Sequence, residues 1–135
     1  MAIVAIVQKP PVLLDRARTI ESVLAILEEV AQAGAALAVF PEAHIPGYPS
    51  WIWRLRPEAD LKLTNEIHAR LRENAIDLER DGLADIREAA ARHKITVVIG
   101  FHEIDSNYSG TTLFNSLAVI GPDGAILNRH RKLIP

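Results

Sequence analysis

Apolar and polar positions change their period several times along the chain, and each change marks an element. Ile3 to Val7 is a continuous apolar run rich in β-branched residues, which predicts a short strand covered on both faces. From Asp15, placed to cap a helix, apolar side chains recur at Ile20, Val23, Leu24, Leu27, Val30 and Ala31, while Glu21, Glu28 and Glu29 fall mostly elsewhere. That is the spacing of an amphipathic helix, and Gly34 is placed to end it. Leu37 to Phe40 follows as a second short strand, so the first forty residues predict β-α-β with parallel pairing.

Pro46, Pro49 and Pro57 then break any long helix, leaving an ordered loop with one turn around Trp51 to Leu55. Two helices are expected next: about Ala59 to Asn74, with Leu61, Ile67 and Leu71 inward, and about Gly82 to His93, with Asp81 as cap and Leu83, Ile86 and Ala90 inward. Ile95 to Gly100 carries the strongest strand pattern and extends to Ile104. After the turn-rich segment DSNYSG, Leu113 to Ile120 forms another strand. GPDG at Gly121 to Gly124 turns the chain so that Ala125 to Arg129 returns antiparallel. The sum is an α/β fold with a mixed sheet whose parallel part is buried by helices and whose later strands form a meander.

The length of 135 residues suits one core rather than two. A formal charge of -2 gives no electrostatic case for nucleic acid or an anionic membrane, and the apolar runs are short for a membrane span. The opening MAIVAIVQKP lacks a basic region and a small-residue cleavage site and reads as a strand, not a signal peptide, so a cytoplasmic setting is expected. There is no cysteine. Disulfides, thiolate metal sites and a cysteine nucleophile are therefore excluded within these residues.

Three side chains stand where chemistry is done in α/β folds, at the carboxyl ends of strands. Glu42 follows the strand ending at Phe40; alternation places it on the side of Phe40, in partly desolvated ground that would raise its pKa toward that of a general base. It could equally cap a backbone amide or pair with a surface arginine. Lys132, in NRHRKLIP, also lies at a strand exit, either meeting Glu42 in a cleft or ending a solvated strand. Alternation puts Arg129 and Arg131 on one face and His130 and Lys132 on the other, a poor arrangement for nucleic acid. Glu103 shares the face of Phe101, opposite His102, as a second carboxylate of the site or as a tie for a loop through backbone amides. Tyr48, Trp51 and Trp53 are packing residues or the apolar wall of a small-molecule pocket. The histidines at 44, 68, 93, 102 and 130 have no metal-ligand spacing, no GxSxG elbow surrounds a serine, and no GxGxxG or GxxxxGK[ST] loop is present. No metal or other cofactor is expected.

VFPEAHIPGYPSWIW and NRHRKLIP, with the opening VAIVQKPPVLLD and the strand VVIGFHE, resemble the nitrilase superfamily of carbon-nitrogen hydrolases, and GYPSWIW resembles its nitrilase branch most closely. The resemblance runs through the whole chain in the family's order. It implies part of an α-β-β-α sandwich, self-association through the helix faces, and a Glu-Lys-Cys triad converting a nitrile to a carboxylic acid and ammonia. Residue by residue, Glu42 matches the general base and Lys132 the catalytic lysine, Tyr48 resembles a pocket residue beside the base, and the aromatic loop would keep the site dry. Glu103 and His130 are possible supporting residues. The family's cysteine lies well beyond its lysine, so residues 1–135 are expected to be the N-terminal portion of such a domain, without its C-terminal part. No nitrile hydrolysis is expected of them alone, and apolar strand faces and unpaired edges should be exposed. The substrate implied is a small nitrile or, in the amidase branch, an amide. The alternative is a non-catalytic nitrilase-like module for binding or assembly.

Overall fold

The computed structural model describes residues 2–107 and 109–133; Met1, Tyr108 of the DSNYSG segment, and Ile134 and Pro135 of the last motif lie outside them. Strand β1 (Ile3–Ile6) leads into helix α1 (Arg16–Gln32), then strand β2 (Ala35–Val39). A 3-10 turn at Ser50–Trp53, helix α2 (Leu61–Glu73), a second 3-10 turn at Leu78–Arg80 and helix α3 (Ala84–His93) precede strands β3 (Thr96–Ile104), β4 (Leu113–Ile120) and β5 (Ile126–Arg131). The five strands form one sheet in the order β1-β2-β3-β4-β5. Pairing is parallel from β1 to β3 and antiparallel from β3 to β5.

Local chemistry accounts for most boundaries. The Asp15 carboxylate accepts from the amide of Arg18 and starts α1, while Gly34, at φ +80°, turns the chain into β2. Asp81 does not cap α3. It closes the preceding 3-10 turn in the left-handed region and binds Arg87, so the helix begins three residues later, at Ala84. In α2 only Leu71 is buried, and Leu61, expected inward, is half exposed. Helix-favouring spacing formed the helix there, but little of its apolar stripe finds a partner.

The core lies on one side of the sheet. Ala38, Val97, Ile99, Phe101, Ala118 and Ile120 point toward α1 and α3 and pack on Val23, Ile26, Leu27, Ile86 and Ala90. The alternate row crosses all five strands as Ile6, Val39, Val98, Val119 and Asn128, and none of these is buried. Strand β1 is therefore open on one face, where Val4 and Ile6 are 51% and 75% exposed, and only partly covered on the other, where Ala5 packs on the core but Ile3 is 53% exposed. Its unbroken apolar run supplies side chains to both faces, and only one face has helices above it. No helix of the described residues is long and apolar enough to cross a membrane.

Candidate active site

Glu42 is held out of the sheet by a looped segment. Val39 pairs with Val98, so regular pairing would bring Glu42 opposite Phe101; Ile45 stands there instead, and three residues are looped out. The loop is pinned at both ends, by the Phe40 amide on the Val98 carbonyl and by Ile45, which donates to Gly100 and accepts from His102. Ala43 takes a left-handed conformation at φ +49°, and Gly47 donates back to its carbonyl. Gly100 lies directly under the loop. A Cβ there would sit 2.6 Å from the Pro41 carbonyl oxygen and 2.9 Å from the Glu42 Cα, so glycine is what lets the loop lie flat on β3.

The loop carries Glu42 over the open face of the sheet to two donors. Lys132 Nζ donates to Glu42 Oε1 at 2.8 Å and Asn115 Nδ2 donates to the same oxygen at 2.7 Å. Asn115 also accepts the backbone amide of Lys132, at 2.8 Å. Glu42 and Lys132 are 90 residues apart in sequence, so the contact is made entirely by the fold.

The environment differs from the desolvated one expected. The Glu42 side chain is half exposed, and the hydrogen bonds from Lys132 and then Asn115 hold its carboxyl below the usual range, outweighing a smaller opposing effect of burial. The Lys132 ammonium is correspondingly raised by Glu42. Both groups are charged at neutral pH, so the pair is preset as carboxylate and ammonium.

Beside the pair is a cavity of about 270 Å³, lined by Glu42, Gly100, Asn115, Leu117, His130 and Lys132. His130 alternates onto this face with Lys132. Tyr48, Trp51 and Trp53 do not line the cavity, and Tyr48 and Trp53 are 44% and 77% exposed, so within these residues the aromatic loop does not dry the site. His102 is paired with Asn115 across the strands beneath the site; burial lowers its pKa, against a weaker pull from Gly47 and Glu42. His44 is buried against Phe40, which lowers its pKa.

Glu103 is on the other face. It is 1% exposed, and its partners are side chains rather than backbone amides: Arg131 at 2.6 and 3.2 Å, Ser116 at 2.6 Å and Arg129 at 3.5 Å. Asn115 is the residue that sequence reasoning missed. Its signal was the pair Asn115-Ser116 in the middle of an apolar strand, two polar groups facing opposite sides and each meeting a carboxylate.

The profile of the carbon-nitrogen hydrolase family matches residues 3–135. The chain belongs to that family. An arylacetonitrilase of Aspergillus kawachii is 39% identical to it over 132 residues, covering 98% of this chain and 37% of that protein. The aliphatic nitrilase of Rhodococcus rhodochrous is 37% identical, covering 98% and 34% respectively, and a cyanide hydratase of Gibberella zeae is 36% identical, covering 97% and 35%. The chain thus spans about a third of the length of these relatives. Among solved structures, the C. elegans NitFhit protein superposes with a TM-score of 0.72 at 17% identity, over 100% of this chain and 29% of that one. A carbon-nitrogen hydrolase from Helicobacter pylori superposes at 0.67 and 20% identity, over 98% and 40%. At those identities the likeness is one of fold.

Proposed function

We propose that residues 1–135 are the N-terminal portion of a nitrilase-type hydrolase and supply two of its three catalytic groups, Glu42 as general base and Lys132 as stabiliser of negative charge. The observation that carries this reading is the 2.8 Å contact between Glu42 and Lys132 at the mouth of a small cavity. A thiol nucleophile comes from outside these residues, which hold no cysteine.

In the reaction, Glu42 accepts the thiol proton through Oε2, the carboxylate oxygen with no hydrogen bond to Lys132 or Asn115. The thiolate forms a bond to the nitrile carbon, and electron density moves to the nitrile nitrogen, where the Lys132 ammonium stabilises it. Proton transfer gives a thioimidate. Water deprotonated by Glu42 adds to the same carbon, ammonia leaves, and the resulting thioester is cleaved by a second water to the carboxylic acid and free thiol. One nitrile and two waters become one acid and one ammonia.

A nitrile substrate is favoured by the relatives, which are named as nitrilases and a cyanide hydratase; the amidase branch would use the same groups on an amide. The open apolar face suits a second sheet packed on it, and Trp51 and Trp53 would then join Tyr48 in walling the substrate. Self-association through the helix face and a cytoplasmic setting belong to the same reading. The test is ammonia release from a nitrile panel, using this chain and the longer polypeptide that continues it through a cysteine-bearing strand. Activity is expected in the longer polypeptide alone, with Glu42→Gln and Lys132→Ala each costing on the order of 10³-fold in kcat. Undiminished activity in Lys132→Ala would sink the reading. Silence in both polypeptides would instead support the second reading, a non-catalytic nitrilase-like module.

A further inference from the structure

The strand that delivers Lys132 has little of its own to hold it. Among the described residues strand β5 is an edge strand, hydrogen-bonded to β4 alone, and five of its six residues are exposed. Its sixth, Arg131, is the exception. The guanidinium binds both oxygens of Glu103, with one nitrogen at 2.6 Å and another at 3.2 Å, and reaches Asp105 at 2.6 Å. Its carbon lies 3.9 Å from the centre of the Phe114 ring. Glu103 and Asp105 belong to β3 and the residue after it, and Ser116 of β4 fixes the remaining side of Glu103, so three successive strands meet at Arg131.

Lys132 is the next residue, and alternation sends its side chain through to the opposite face. There its backbone amide is bonded to Asn115 and its ammonium to Glu42. On the assumption that Lys132 acts as proposed above, we infer that the Glu103–Arg131 pair, on the covered face of the sheet, is a positioning device for Lys132 on the open face. The fork between guanidinium and carboxylate fixes the rotation and register of the strand end, which no apolar burial fixes. A slip of one residue would turn Lys132 to the covered face and put Arg131 in the site, where a broad planar fork would replace a point charge on Glu42. Glu103 is thus neither a second carboxylate of the site nor a loop tie. It acts through Arg131.

The inference is tested by titrating Lys132 and Glu42, with isotope-labelled side chains read by NMR, in the parent chain and in Glu103→Gln, with Asp81→Asn as a control that breaks a distant ion pair. In a folded Glu103→Gln chain the Lys132 titration is expected to fall toward the ordinary lysine value and that of Glu42 to rise toward the ordinary carboxylate value, because the two no longer meet and only Asn115 still donates to Glu42. In Asp81→Asn both stay as in the parent. A merely structural role for Glu103 lowers the unfolding midpoint but leaves both titrations of the folded chain unmoved, and that result overturns the inference. Where Glu103→Gln does not fold, Arg131→Lys, which keeps the charge and loses the fork, is read in the same way. In the longer polypeptide Glu103→Gln is expected to lower kcat about 10- to 100-fold with KM little changed. The NMR readout needs no catalysis, so loss of coupling with Lys132→Ala still fully active would defeat the proposed function while leaving the positioning role intact.

Discussion

Two carboxylates, Glu103 and Glu42, face cations from opposite sides of the same strands, and they differ in every physical respect that decides their use. Glu103 is 1% exposed and has its oxygens taken by Arg131, Arg129 and Ser116. Glu42 is half exposed, and its two donors converge on one oxygen. A buried charge whose oxygens are already engaged by side chains offers no free atom to a substrate and is costly to unpair, so it serves structure. A carboxylate held charged at a cavity mouth with one oxygen unengaged by those donors can accept one.

The contrast is broken most directly by removing each cation. Arg131→Ala strands a buried carboxylate, and the expected loss is about 3 to 5 kcal/mol of stability, read from urea unfolding. Lys132→Ala should leave the unfolding midpoint nearly where it was, since water replaces the ammonium around Glu42. Comparable losses in the two variants would show that the pairs do not divide between structure and chemistry as their exposure implies. Gly100→Ala is next. Its methyl group would meet backbone at 2.6 to 2.9 Å, so the loop must lift; a cost of about 1 to 3 kcal/mol is expected, together with loss of the Glu42–Lys132 contact in a structure of the variant.

How far the sequence foretold these two sites follows from the range of each contact. Periodicity placed the five strands and three α-helices of the described residues, because each is fixed by neighbours a few residues away. The alternation of Arg129 and Arg131 against His130 and Lys132 was readable for the same reason, and the two sets do lie on opposite faces. The meeting of Glu42 with Lys132 rested on family resemblance, since no local rule connects residues 90 apart. The raised pKa expected for Glu42 was reversed. Counting residues from Phe40 assumed a continuing strand, but the three-residue loop lifts the side chain off the sheet toward the Asn115 amide of β4 and the Lys132 ammonium beyond β5, donors that were invisible to that count. Expecting both faces of β1 to be covered failed for a different reason: an apolar run reports what a strand can bury, and the covering layer must come from elsewhere.

A smaller effect sharpens the comparison within the site. Asn115→Ala removes one of the two donors to Glu42 and should raise its pKa toward the ordinary carboxylate value, while Lys132→Ala raises it further. The sign follows from the depression in the folded state. A lowered folded pKa contributes stability that is present above the unfolded carboxylate value and is lost as pH falls through the folded one. Both variants should therefore show a weaker loss of stability across that acid range than the parent. An unmoved Glu42 titration in Asn115→Ala would mean that the 2.7 Å contact is not maintained in solution.

The smallest expected change in stability tests the two faces as wholes. Ile6 and Val39 lie in the open row, whereas Ala38 and Val97, in the adjoining row, are completely buried under the helices. Val97→Ala should cost a few kcal/mol through its cavity, and Ile6→Lys, at a side chain 75% exposed, no more than about 0.5 kcal/mol. The lysine should nevertheless change behaviour in solution. It puts a charge in an apolar strip that otherwise favours contact with another surface, so self-association measured by sedimentation should fall. If Ile6→Lys instead destabilises as much as Val97→Ala, the open face is already covered in solution by a second copy. The sheet would then have two buried faces, and the site beside Glu42 would lie at an interface rather than in water.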